Sequence, residues 1–64
     1  MILNRLQEIR ERNDLTEKEV AKKIYVSPQS YSGYEKQYRT PSLETCFLLA
    51  KLFNCKIEDL FWEM

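Results

Sequence analysis

A Ser-Pro pair near the middle of the chain constrains the fold more than any other feature. Serine caps the free amides at the start of a helix, and proline in the first turn loses no hydrogen bond, so a helix begins at Ser27-Pro28. The amphipathic segment before it has its last apolar residue at Ile24, which leaves only Tyr25 and Val26 as a connection. So short a connection forces a sharp angle between two helices and predicts a helix-turn-helix.

Apolar residues recur at helical spacing along the chain. The pattern predicts five helices: residues 2–12, 16–24 and 28–36, a fourth that follows a cap at Ser42 and stops at Asn54, and a short fifth with Ile57, Leu60 and Phe61 facing inward. Thr16 and Glu19 form a capping box at the start of the second helix. The predicted fold is an all-α, compact five-helix domain over residues 1–64, with the helix-turn-helix at about 16–36.

The size and composition of the chain favour one small folded domain. Sixty-four residues suffice for one core, and 44% apolar with 31% charged residues is typical of a globular helical domain. A domain near this size buries only about 60% of its unfolded surface, so we expect self-association. No apolar run approaches the ~20 residues of a membrane span, and no basic start leads into a signal-peptide core. We therefore expect a cytoplasmic protein.

Several classes of function are excluded by what the chain lacks. It has no histidine and only two cysteines, Cys46 and Cys55, too few for a zinc site or a disulfide scaffold. We expect Cys46 to be buried as a small apolar residue, and a redox role for the pair stays open. With no phosphate-binding loop and no nucleophile beside a base, the sequence predicts neither an enzyme nor a cofactor. One small domain also lacks room for a small-molecule pocket.

The spacing of particular residues indicates a helix-turn-helix more specifically than the short connection between two helices does. Counting from Glu17, an alanine stands four residues on, a turn residue eight on, and tyrosines fourteen and seventeen on: Ala21, Tyr25, Tyr31 and Tyr34. The alanine lets the two helices approach closely, and tyrosines three apart fix one side of the third helix against the core. This is the geometry of a helix-turn-helix that enters the major groove of DNA.

On these residues the chain resembles the Cro/CI-type (XRE, lambda-repressor-like) helix-turn-helix family over its whole length. The resemblance is carried by Leu6-x-x-Ile9-Arg10, Leu15-Thr16, Val20-Ala21-x-x-Ile24, Val26-Ser27, Tyr31-x-x-Tyr34-Glu35, Arg39-x-Pro41-Ser42-Leu43-Glu44-Thr45, Leu49-Ala50-x-x-Phe53-Asn54 and Ile57-Glu58-Asp59-Leu60-Phe61. It implies a bacterial or phage-encoded, nucleoid-associated transcriptional repressor that binds an inverted-repeat operator in double-stranded DNA as a homodimer. No membrane and no small-molecule ligand is expected.

The third helix supplies the candidate base-reading residues. At about 100° per residue, one side of this helix carries Tyr31, Tyr34 and Glu35. The opposite side is small and polar and consists of Gln29, Ser32, Gly33 and Lys36. A glutamine takes adenine N6 and N7 bidentately, which makes Gln29 the leading candidate. The resemblance adds Pro28 and Ser30, which lie where the family makes base contacts.

Two segments are candidates for contact with DNA phosphates. Free amides at the starts of the second and third helices predict phosphate contacts at Thr16, Glu17 and Ser27. Glu17 stands where the family usually has glutamine, and its carboxylate repels a phosphate to which an amide would donate. The loop after the third helix resembles a second phosphate clamp and supplies Gln37, Tyr38, Arg39 and Thr40.

The resemblance also carries expectations about internal structure. It implies an ion pair between Arg10 and Glu35 that positions the third helix. Tyr25 and Gln37 replace glycines that are usual at helix ends in the family, so we expect each to adopt a strained left-handed backbone.

Assembly and charge leave two readings of the function open. A tryptophan at the end of so small a chain is hard to cover internally, so the candidate dimer interface is Ile57, Phe61 and Trp62. Ten basic residues offset ten acidic ones, although residues 1–57 hold ten basic against seven acidic. A neutral protein should bind non-specific DNA weakly. Neutrality and Glu17 keep an alternative open: a helix-turn-helix protein-binding module, antitoxin-like or a regulatory partner, with weak or no DNA binding.

Overall fold

Five short helices make up most of the chain. In the computed structural model, which describes residues 1–64, the elements in chain order are β1 (Ile2–Asn4), α1 (Leu6–Arg12), α2 (Glu17–Lys23), α3 (Pro28–Glu35), α4 (Leu43–Leu52), α5 (Ile57–Leu60) and β2 (Phe61–Glu63). The five predicted helices are confirmed, and a two-stranded sheet is added to them. Phe61, predicted to lie in the fifth helix, belongs to β2 instead, because it pairs with Asn4 of β1. No helix is long and apolar enough to cross a membrane.

The prediction for the first helix is wrong at its start. Residues 2–4 form β1, which pairs antiparallel with β2 and sets Leu3 opposite Trp62. Asn4 ends the strand: its Oδ1 accepts a hydrogen bond from the Leu6 amide at 3.0 Å, and its Nδ2 donates to the Tyr34 carbonyl at 2.8 Å. Two apolar residues fit a strand as well as a helix, so pairing with a distant segment decides between them.

Side-chain caps begin three of the helices where the sequence predicts them. The Thr16 hydroxyl accepts from the Glu19 amide at 3.1 Å, and the Glu19 carboxylate accepts from the Thr16 amide at 2.9 Å. Ser27 accepts from the Ser30 amide at 3.1 Å, and Ser42 from the Thr45 amide at 3.2 Å. These hydrogen bonds satisfy amides that have no partner inside the helix. They fix where α2, α3 and α4 start.

All five helices contribute to the core, which is built on the tyrosines of α3. Its nine members are Leu6, Val20, Ala21, Ile24, Tyr31, Tyr34, Leu49, Ala50 and Leu60. Tyr31 is fully buried and meets Tyr34 edge-on, with ring centroids 6.3 Å apart. Ala21 is also fully buried, as expected for a close approach of α2 and α3. The core therefore holds one side of α3 rigidly and turns the other side outward.

Left-handed residues terminate the first four helices. Asp14, Tyr25, Gln37 and Asn54 have φ of 57°, 63°, 66° and 54°. The expected strain at Tyr25 and Gln37 is therefore present, and each costs about 1 kcal/mol relative to glycine. The predicted stop at Asn54 is confirmed as well.

The fourth helix buries less of its surface than its apolar sequence suggests. Its inward side consists of Thr45, Leu49 and Ala50. Cys46, expected to be buried, is half-buried because it lies one position off this side, with its Sγ 4.0 Å from the Pro41 carbonyl. On the outer side of α4, further apolar side chains are exposed.

Candidate nucleic-acid interface

The outer side of α3 is the polar surface that the sequence predicts, with one correction. Pro28, Gln29 and Lys36 are exposed, and Ser30 and Ser32 are half-buried. Gly33, expected to offer an open backbone, is buried. The side chain of Arg39 covers it: a Cβ built on Gly33 would stand 3.2 Å from both Cγ and Cδ of Arg39. A long side chain from the following loop thus occupies the space that a glycine leaves on the helix.

Arg39 is held along α3 by a short series of hydrogen bonds. Its Nη1 donates to the Ser30 hydroxyl at 3.2 Å, and the Ser27 hydroxyl donates to the same oxygen at 3.0 Å. The loop backbone is fastened as well, since the Gly33 carbonyl accepts from the amides of Tyr38 at 2.9 Å and Arg39 at 3.2 Å. The Arg39 guanidinium is therefore carried back to the N-terminal half of α3.

These groups share one concave surface on the outside of α3. Its lining residues are Pro28, Gln29, Ser32, Gly33, Lys36, Tyr38 and Arg39. The surface combines an amide, a hydroxyl, an ammonium and a guanidinium, which are donors suited to base edges and phosphates. No acidic side chain lines it. The neutral charge of the whole chain is therefore not the charge of this surface.

The other residues predicted to contact phosphate lie at the starts of α2 and α3 and in the loop after α3. Thr16 and Ser27 are exposed at the starts of α2 and α3, where their hydroxyls act as caps. Gln37, Tyr38 and Thr40 are exposed in the loop after α3. Glu17 differs from them because it is half-buried and turned toward the inner side of α3.

Arg10 and Glu35 lie in contact between α1 and α3. The Arg10 Nε donates to Glu35 Oε2 at 2.6 Å, and its Nη2 donates to Oε1 at 3.2 Å. A third donor, Nη1, reaches the Leu15 carbonyl at 2.9 Å. The Glu35 side chain is only 3% exposed and that of Arg10 13%. This bidentate pair ties the C-terminal end of α3 to α1 and so sets the direction of α3.

Glu17 joins this pair as a second carboxyl group. Burial and the neighbouring Glu35 carboxylate raise the pKa of Glu17 above its ordinary value. Burial alone would raise the pKa of Glu35 too, but the two hydrogen bonds from Arg10 outweigh it and hold that pKa low. The buried Tyr31 hydroxyl has no well-formed hydrogen bond, and burial beside Glu35 raises its pKa. The resemblance implies the Arg10–Glu35 pair, but no sequence pattern places Glu17 and Tyr31 beside it, because the members come from three helices.

The predicted dimer residues are only partly exposed. Ile57 and Phe61 are half-buried against the core, and Trp62 remains 39% exposed in β2. The Arg5 guanidinium lies 5.1 Å from the centroid of the Trp62 ring and covers part of it. This contact was not predicted from the sequence. A second apolar surface was also missed: Leu43 and Phe47, one helical turn apart on α4, are 69% and 58% exposed.

Comparison with known proteins places this geometry among transcriptional regulators. Residues 6–60 match the helix-turn-helix family model. An uncharacterized HTH-type transcriptional regulator of Methanocaldococcus jannaschii is 43% identical over 58 residues, which span 91% of this chain and 88% of that protein. The cryptic phage CTXphi transcriptional repressor RstR of Vibrio cholerae is 37% identical over 60 residues, 94% of this chain and 54% of the repressor.

The fold is also found among solved structures. A protein from Bacteroides fragilis superposes with a TM-score of 0.87, covering 97% of this chain and all of that one at 24% sequence identity. The similarity extends beyond the helix-turn-helix to nearly the whole chain.

Proposed function

The chain belongs to the Cro/CI-type helix-turn-helix family of transcriptional regulators, and on that premise we propose that it is a repressor that binds an inverted-repeat operator in double-stranded DNA as a homodimer. In this proposal α3 enters the major groove, and the two copies of α3 meet half-sites about one helical turn apart. The protein is a transcriptional regulator and not an enzyme, because its relatives are named as HTH-type transcriptional regulators. A related repressor, RstR, supports repression as the direction of control.

The observation that carries the proposal is the polar outer side of α3. Tyr31 and Tyr34 fill the core beneath this helix, so its outer side is presented as a rigid surface. Base contacts are proposed for Pro28, Gln29, Ser30, Ser32 and Lys36. Gly33 contributes indirectly, because its lack of a side chain leaves room for that of Arg39. Gln29 is exposed and free to take an adenine edge through two hydrogen bonds.

Phosphate contacts are proposed on both sides of this surface. Thr16 and Ser27 supply hydroxyls and nearby helix amides, and Gln37, Tyr38 and Thr40 supply donors from the loop after α3. Glu17 weakens this set, because a carboxylate offers a phosphate no donor when ionised. Affinity is therefore expected to depend on base contacts more than on charge, with a shallow decrease as salt is raised.

Homodimerisation is proposed through Ile57, Phe61 and Trp62. Aromatic residues are enriched at protein interfaces, and Trp62 keeps an exposed part beside the half-buried Phe61. The test is sedimentation of the wild-type protein and of Trp62→Ala at several concentrations. Dissociation of the variant at concentrations where the wild type is dimeric supports the interface. A monomeric wild type contradicts it.

A second function is favoured by one observation, the exposed pair Leu43 and Phe47. Exposed apolar side chains one turn apart on a helix are anchors suited to a protein partner. The alternative is that the domain acts as a protein-binding module, antitoxin-like or regulatory, and binds DNA weakly or not at all.

The deciding experiment is selection of random duplex DNA by the purified protein at low salt, followed by sequencing and by binding at two salt concentrations. An enriched inverted repeat supports the dimeric repressor and yields its half-site. If the folded protein enriches nothing, the DNA-binding proposal fails, and Leu43 and Phe47 become the surface on which to seek a partner.

A further inference from the structure

We infer that Arg39, although it belongs to the loop after α3, reads a guanine and thereby helps to set the operator sequence, and that Gly33 positions it for this role. The inference rests on the proposed function, since it concerns how the same surface discriminates between base pairs. The sequence alone groups Arg39 with the loop residues expected to contact phosphate. Its conformation favours a base contact.

The Arg39 side chain runs back along α3. The stem does not project from the loop; it lies across Gly33, and Nη1 reaches the hydroxyl of Ser30. Ser30 is in the N-terminal half of α3, three residues before Gly33. The guanidinium consequently borders the same concave surface as Gln29 and Ser32. An element that carries Gln29 into the major groove carries the Arg39 guanidinium with it.

The Arg39 guanidinium keeps free hydrogen-bond donors. An arginine has five N–H donors, and Arg39 uses one of them, toward Ser30. No carboxylate lies within ion-pairing distance of it, unlike Arg10 and Arg12, which are both paired. A planar, unpaired guanidinium of fixed direction is the group that binds guanine O6 and N7 with two parallel hydrogen bonds. This defines the ligand as the major-groove edge of a G·C pair.

A glycine, Gly33, lies beneath the Arg39 side chain. An interior helix position ordinarily favours alanine over glycine, so Gly33 is unfavourable for α3 itself. Any larger residue would place its Cβ 3.2 Å from Arg39 Cγ and Cδ and push the stem away by a few tenths of an ångström. The glycine therefore allows the placement of Arg39 while lowering the stability of the helix.

The test compares the selected DNA sites of the wild type with those of Arg39→Lys, Arg39→Ala and Gly33→Ala. Lysine keeps the charge but loses the bidentate geometry. We expect Arg39→Lys and Arg39→Ala to lower the preference for guanine at one position of each half-site by about 5- to 150-fold. Gly33→Ala should relax the same position to a smaller extent while its thermal midpoint stays equal or rises. That combination separates positioning from a general loss of structure.

The matched control is Arg12→Lys, the same substitution at an exposed arginine on α1, and it should leave every position of the site unchanged. If Arg39→Lys keeps the wild-type preference at all positions and Arg39→Ala weakens binding equally for all sequences, Arg39 contacts phosphate and the inference is overturned. If the wild type itself enriches no sequence, the proposed function fails and the inference falls with it. The two failures are thus told apart by the wild-type selection alone.

Discussion

The inner and outer sides of α3 treat their charged groups in opposite ways. On the inner side, Glu35 is almost completely buried and both of its oxygens accept hydrogen bonds from Arg10. On the outer side, Arg39 is exposed, makes one hydrogen bond and has no carboxylate partner. The polar groups of the inner side fix the helix in place, whereas the polar groups of the outer side stay available to a ligand. Substitutions on the inner side should therefore alter stability, and those on the outer side should alter recognition.

The largest effect is expected from breaking the inner side with Arg10→Ala. This change leaves the Glu35 carboxylate buried without its partner, and we expect a loss of about 3 kcal/mol in the free energy of unfolding, measured with denaturant. The control is Arg12→Ala, which removes an exposed ion pair with Glu8 at 2.9 Å and should cost less than about 0.5 kcal/mol. Equal losses from the two variants would show that the Arg10–Glu35 pair contributes no more to stability than an exposed ion pair.

The outer side is tested by Gln29→Ala. We expect it to lower discrimination at one base pair by about 2 kcal/mol per half-site, because the bidentate contact is lost, while stability is unchanged. Binding is measured against a panel of operators that differ at single positions, with Gln7→Ala as a control for an exposed glutamine on α1. An unaltered site preference would reject Gln29 as a base-reading residue.

Glu17 supplies a second carboxyl group on the inner side of α3, beside Glu35. Its pKa is raised by burial and by Glu35, so the stability that protonated Glu17 contributes is present below its ordinary pKa of 4.5 and is lost as pH rises through the raised value. Glu17→Gln avoids this loss. We expect the variant to be more stable than the wild type at pH 7 by about 1 kcal/mol, and the difference to shrink toward pH 4.5.

The pH dependence of this difference can be assigned to Glu17. Glu35 has a lowered pKa, so its contribution is lost only as pH falls further, below 4.5. The chain has no histidine that would titrate between pH 5 and 7. Glu44→Gln, which removes an exposed carboxylate from the first turn of α4, gives the effect of one surface charge. A constant difference between wild type and Glu17→Gln across this range would contradict the effect of Glu35 on Glu17.

The smallest effect is expected in the turn between α2 and α3, which belongs to neither side. Tyr25 is 84% exposed and has a φ of 63°. Tyr25→Gly should relieve this backbone strain, but glycine also gives the unfolded chain more conformational entropy. The net gain in the free energy of unfolding should be about 0.5 kcal/mol, measured by denaturation. Tyr25→Ala removes the ring but keeps the strain, so it should be neutral. A gain from alanine as large as that from glycine would assign the effect to the ring instead.

Features encoded by neighbouring residues could be predicted from the sequence. The caps at Thr16, Ser27 and Ser42 depend on amides two or three residues away, and the core side of α3 follows from the spacing of its tyrosines. The family is established by the match over residues 6–60. Local chemistry and helical periodicity therefore sufficed for the five helices and for the direction of α3.

Features that depend on distant parts of the chain could not be predicted in this way. Strand β1 exists only because β2 pairs with it, and three residues carry too little pattern to reveal that. A helical projection gives the side on which Gly33 lies but not that Arg39 folds back over it. The proximity of Glu17 and Glu35 likewise arises from the packing of α2 against α3.

The pairing of β1 with β2 also determines the order in which the domain is expected to assemble. The Met64 amide donates to the Met1 carbonyl at 3.0 Å, so this hydrogen bond closes a loop through the whole chain. Closing a loop costs more entropy as it lengthens, whereas the helices and the turn between α2 and α3 need only local contacts. The helix-turn-helix should therefore form first and the sheet last. In hydrogen exchange, the amides of β1 and β2 should open before those of α2 and α3, with the ends separating while the helix-turn-helix stays folded.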